Sequence, residues 1–187
     1  AGCDNADSVR VADTSQVTES AEPQDDNFDF RKLKWGATRE DVKKAEEATF
    51  IDEVADMLIY RDVKVAGLNA SLGYVFENGK LVQGSYSFAE KHSNNNLYIN
   101  DYDKVKKALT EKYGEGEEVW SWNDDLFKGD EDNYGLAISA GHLKIITMWV
   151  TEKTRIMLSL HGDNYEIGLT LWYTDINYKP STNTEGL

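Results

Sequence analysis

The sequence predicts an α+β fold, a mostly antiparallel sheet with helices packed on one face. Three observations predict it. A helix-start signature at Thr38 to Asp41 precedes a short amphipathic run, and alternating apolar residues flank an Asn78-Gly79 turn. A second helical stripe from Tyr102 to Tyr113 is followed by three apolar segments separated by turn residues.

The first helix is expected from about Arg39 to Ala48. Thr38 supplies a capping hydroxyl, Asp41 reaches back to the cap amide, and Glu40 and Asp41 sit where the helix dipole favours anions. Val42 and Ala45 form its buried side, and Trp35 folds back near its start. "MLIYRDVKV" reads as a strand. Leu68, Ala70, Leu72, Tyr74 and Phe76 then share one face of the next, Asn78-Gly79 turns the chain, and Val82, Gly84, Tyr86 and Phe88 continue the alternation.

The order then recurs. Asn100 is the expected cap of a second helix, with Asp103 at the reach-back position, Tyr102, Val105, Leu109 and Tyr113 on one stripe, and Gly114 as terminator. "HLKIITMWV", "TRIMLSLHG" and "YEIGLTLWYTD" follow as strands; the first is apolar on both faces and is expected to be central and doubly covered. Helix plus three strands thus occurs twice, in units spanning 30–90 and 98–176.

Composition sets the boundaries. Residues 1–27 show no apolar periodicity and carry seven acids against Arg10 alone, so they cannot bury enough surface to offset the entropy of ordering and read as a tether. Pro23 and Pro180, the only prolines, bracket a single domain at 28–178, with 179–187 as a flexible tail. A formal charge of −14 opposes binding to nucleic acid or to an anionic surface.

Cys3, the only cysteine, has no disulfide partner, no metal-ligand neighbours and no core to fill. Ala1-Gly2-Cys3 resembles the end of a bacterial lipobox, in which the cysteine is diacylated and becomes the new N-terminus. That resemblance implies lipidation at Cys3, remnants of a signal peptide in Ala1 and Gly2, and an exported protein tethered to the cell-envelope membrane. Gly36, Thr38 and Val42 in "WGATREDV", together with the order of elements, resemble the helix-and-sheet units of β-lactamase-inhibitory protein and of small outer-membrane lipoproteins that assist β-barrel assembly. The chain also resembles bacterial lipoproteins of this size to which no activity attaches.

No Gly-x-Ser-x-Gly turn, phosphate-cradling loop or His-x-x-x-His helix occurs, and His92, His142 and His161 lie in different settings, so no enzyme or cofactor is expected, an envelope hydrolase standing as an alternative. The acidic loop at 123–135 raises a calcium alternative. Asp130 and Asp132 fit the first and third positions of an EF-hand, but Tyr134 and Gly141 occupy the fifth and twelfth, and the loop reads as solvated. Trp120 and Trp122, at alternate positions, read as one packed face of a strand. If helices cover Leu72, Tyr74, Ile156, Leu158, Leu169 and Leu171, the opposite face presents Ser71, Gly73, Ser85, Ser87, Met157, Ser159, His161, Thr170 and Trp172. Small hydroxyl side chains interspersed with a few large ones suit a protein or small-ligand partner, and Ser85, Ser87, Met157, Ser159, His161, Thr170 and Trp172 are the candidate contacts.

Overall fold

The computed structural model describes residues 28–180, so Cys3 and the expected tether lie outside the described residues. One eight-stranded antiparallel sheet dominates. Its strands are β1 (Thr49–Val54), β2 (Met57–Val65), β3 (Leu68–Glu77), β4 (Lys80–Phe88), β5 (Glu117–Trp122), β6 (Leu143–Val150), β7 (Thr154–Asp163) and β8 (Glu166–Asp175). Helices α1 (Arg39–Ala45), α2 (Asn96–Tyr113) and α3 (Tyr134–Ser139) complete the fold, with a single 3-10 turn at Glu131–Asn133. The spatial order β1-β2-β3-β4-β8-β7-β6-β5 joins two meanders at their last strands.

Local chemistry explains the elements. Thr38 and Asp41 form the reciprocal capping box in both directions. α1 stops at Ala45, short of the expected Ala48, because the Glu46 carboxylate accepts the next two backbone N–H groups, from Glu47 at 3.0 Å and Ala48 at 2.9 Å. α2 starts at Asn96, ahead of the expected Asn100 cap. Its first turn is held from outside: Asn96 donates to the Asp132 carbonyl at 2.8 Å and accepts the Gly135 N–H at 2.6 Å. Gly114, at φ +82°, ends it as expected.

The count of three strands per unit is corrected to four. β1 and β5 each lead a meander, and their residues are exposed almost throughout, so they carry little of the burial alternation that marks the inner strands. α3 was also not expected; it sits inside the former loop, with Gly135, Ala137, Ile138 and Ser139 buried. β6 is not central. It lies second from the edge, with one face buried and the other carrying Met148 and Val150 at 41% and 70% exposure.

The helices and the segment before α1 cover one face. Leu72, Tyr74, Ile156, Leu158, Leu169 and Leu171 are buried there as expected. Phe30 lies on the β4–β8 seam, its ring 5.5 Å from Tyr74 and Tyr86 and 5.1 Å from Tyr173. Gly84 makes room for it, since a Cβ there would fall 2.1 Å from a ring carbon. On the other half, Tyr102 of α2 hydrogen-bonds the buried Thr147 hydroxyl at 2.5 Å, and Thr147 donates to Glu118 at 3.2 Å.

Glu46 ties the first helix to the sheet. Its carboxylate, 2% exposed, receives both Nε and Nη2 of Arg31 at 2.8 and 3.0 Å and the Tyr74 hydroxyl at 2.5 Å. Burial opposes ionisation, but the Tyr74 and Ala48 hydrogen bonds and the Arg31 charge outweigh it and hold the carboxyl below its usual range. A lowered folded pKa stabilises the protein above the unfolded value of about 4.3, and that gain is lost as pH falls through the folded value. Glu46→Gln is therefore expected to lower the unfolding free energy at pH 7 by about 1–3 kcal/mol and to flatten its decline on acidification. Urea unfolding at a series of pH values checks both; an unchanged acid slope contradicts the assignment.

Candidate functional site

The uncovered face of the sheet is built from rows that run across the strands. Strand register places Ser71, Ser87, Thr170, Ser159 and Ile146 side by side, and beside them Ile59, Gly73, Ser85, Trp172, Met157 and Met148. In a chain that is 29% charged, neither row contains a charged residue between the edge strands, and the second row ends at Asp52 of β1 and Glu117 of β5. A third row, Val75, Gln83, Thr174, Arg155 and Val150, adds one guanidinium.

Six of the seven expected contact residues therefore lie in two adjacent rows: Ser87, Thr170 and Ser159 in one, Ser85, Trp172 and Met157 in the other. Their exposure differs. Ser87 is exposed and Ser85, Met157, Thr170 and Trp172 are half-buried, whereas Ser159 is only 3% exposed and sits beneath the surface its neighbours present. Gly73 leaves room for the Ser85 hydroxyl, which would lie 2.7 Å from an added Cβ.

His161 closes this face at one end. It pairs with Gly168, where an added Cβ would lie 3.3 Å from the imidazole, so the ring overlies the glycine. Its Nδ1 is 3.4 Å from the Ser159 hydroxyl. Burial and the nearby Lys144 charge lower its pKa below the ordinary histidine value.

At the other end the face sinks into a groove of about 390 Å³, lined by Gln83, Met148, Val150, Arg155, Met157, Trp172 and Thr174. Arg155 is held at its rim by a 2.8 Å hydrogen bond from Nη2 to the Tyr178 carbonyl. Only Met157 and Trp172 of these were singled out from sequence. Gln83 and Thr174 carried no marker apart from their parity in the strands, and Met148 and Val150 were assigned to a doubly covered strand.

Catalytic parts are present but not combined. His92 Nε2 contacts the buried Asp101 carboxylate at 2.5 Å, with Lys104 on the other oxygen at 2.9 Å, and His142 Nδ1 pairs with Asp124. Burial opposes ionisation of Asp101, but the hydrogen bonds from His92 and Lys104 hold its pKa below the usual carboxylate value. Among the described residues, neither imidazole bonds a hydroxyl, and the one imidazole near a hydroxyl, His161, has no carboxylate partner. A base with an orienting acid thus occurs at two places and a base beside a hydroxyl at a third.

Asp130 accepts a 2.8 Å hydrogen bond from Asn133, and the Asp132 carbonyl is taken by Asn96. Among the described residues no three His, Cys, Asp or Glu side chains group so as to hold a metal ion. None of their helices is long and apolar enough to cross a membrane.

Compared with known proteins, the chain matches no family model, no curated protein and no solved structure. The environment of His161 predicts an NMR titration midpoint below about 6.5, and Lys144→Ala is expected to move it upward. A midpoint above that value, or one indifferent to Lys144, contradicts the described packing.

Proposed function

We propose that this chain is a cell-envelope lipoprotein, fastened by acyl groups on Cys3, whose domain binds a protein or small ligand through the uncovered sheet face. The observation that carries the reading is the pair of uncharged rows running into the Trp172 groove. A face of hydroxyl, methionine and aromatic side chains loses little on desolvation and offers Trp172 as an anchor. Ser85, Ser87, Met157, Thr170 and Trp172 are the proposed contacts. His161 borders them, and Ser159 supports the surface from below. Arg155 and Gln83 at the groove add directional donors that give an occupant orientation.

The same reading makes the domain non-catalytic. It also treats the α1–β4 and α2–β8 runs as tandem units of the β-lactamase-inhibitory-protein kind, each a helix followed by a meander. The mirrored order, in which the last strands of both runs pair at the centre, supports this, and the α3 insertion marks the second unit apart.

The test places a photo-crosslinking residue at Trp172, and separately at Lys107 on α2, in protein produced with its native export route. Adducts are expected from position 172 and not from 107. Mass spectrometry of the same sample is expected to find Cys3 as an acylated N-terminus. Equal labelling from both positions contradicts the binding face, and an unmodified thiol contradicts the anchor.

A further inference from the structure

The two edges of the sheet are not alike. β1 is blunted: a register shift interrupts it between Phe50 and Asp52, and Glu53 is tied to Arg39 at 3.1 Å and Lys43 at 2.7 Å. Such irregularity and charge discourage a further strand. β5 has no register shift, and its ion pair, Glu118 with Lys106, lies near its start. It pairs with β6 in unbroken register from Glu117 to Trp122, and Val119 and Trp120 are 41% and 39% exposed.

The free backbone groups of β5 can be named. The Asn123 N–H donates to the His142 carbonyl at 2.8 Å, and alternate residues of an antiparallel strand point their backbone groups to opposite sides. Ser121, Val119 and Glu117 therefore face β6, while Glu118, Trp120 and Trp122 present N–H and C=O to the open edge. β5 is the last strand of the sheet, so among the described residues no strand pairs with it on that side. The edge is also flanked by apolar surface on both sides. Val119 adjoins Ile146 on the uncovered face, and Trp120 and Trp122 sit 5.6 and 5.4 Å from the Tyr134 ring on the other.

Charge selects the occupant. Glu115 and Glu117 at the start of β5 enter no ion pair among the described residues, whereas Asp124 and Asp125 after its end are already paired with His142 and Lys128. We infer that β5 is a strand-addition site for an extended foreign peptide of about six residues, apolar in the middle and basic where it meets Glu115 and Glu117. A second copy of the chain brings the same acids and a charge of −14 to the contact, and is disfavoured for that reason. This inference does not rest on the function proposed for the uncovered face.

The test uses a capped Lys-Thr-Val-Thr-Val-Lys peptide. Binding is expected to protect the Glu118, Trp120 and Trp122 amides from hydrogen exchange while leaving Val119 and Ser121 unchanged. Replacing both lysines with glutamate is expected to weaken binding about tenfold or more. N-methylating alternate amides is expected to abolish binding in one phase and spare it in the other. Val119→Lys, on an exposed side chain, is expected to remove binding without lowering the melting temperature. Equal affinity for the acidic peptide overturns the inference, as does binding indifferent to both methylation phases. Protection of the three amides by concentration-dependent dimerisation of the protein alone overturns it too, in favour of a second copy.

Discussion

The structure depends on the seam where β4 meets β8. Each meander alone is a four-stranded sheet with a limited covered face, and only the Gln83–Thr174 to Ser87–Thr170 pairing makes them one surface. Phe30 fastens that seam from the covered side. Its ring touches aromatic side chains of both meanders and occupies the space left by Gly84. Burying such a ring is among the larger single contributions a core residue makes. The uncovered rows cross the same seam from Ser85 to Trp172, so the integrity of the candidate site and of the core are one matter.

Polar groups divide the covered face into two anchored halves. Glu46 gathers Arg31, Tyr74 and the end of α1 under the first meander, while Thr147 links Tyr102 of α2 to Glu118 under the second. Paired in this way these groups position the helices, while the Arg39 Nε and the Tyr60 hydroxyl are buried without a hydrogen bond among the described residues. The opposite face carries isolated pairs instead, such as Gln83 donating to the Thr174 hydroxyl at 3.1 Å. Its side chains are small or apolar and uncharged over two rows, an arrangement suited to exchanging water for a partner.

Much of this was legible in the sequence, because the inner strands alternate cleanly. Leu72, Tyr74, Leu158 and Leu171 point inward, so the identity of the opposite face followed from period two alone. The capping box at Thr38 was equally plain, since both of its partners are local. What escaped depended on distant contacts. α1 ends early because Glu46, held by Arg31 and Tyr74, accepts the Glu47 and Ala48 N–H groups, and α2 begins early because Asn96 is bound by the α3 region; Arg31, Tyr74 and that region are distant in sequence. β1 escaped because edge strands bury little and lose the alternation that reveals their neighbours, whereas β5 was legible at Trp120 and Trp122 but stood outside the count of strands. The groove escaped for a related reason: Met148 and Val150 read as core when β6 was assigned to the centre, yet its place beside an edge leaves them exposed.

The most direct measurement is residue-resolved hydrogen exchange on Gly84→Ala. A methyl group there forces Phe30 off the seam. The account predicts a loss of about 1–3 kcal/mol in unfolding free energy, appearing as faster exchange by one common factor in β2–β3 and in β6–β7. Acceleration confined to one meander, or none, would contradict the claim that the seam joins the two into a single cooperative sheet.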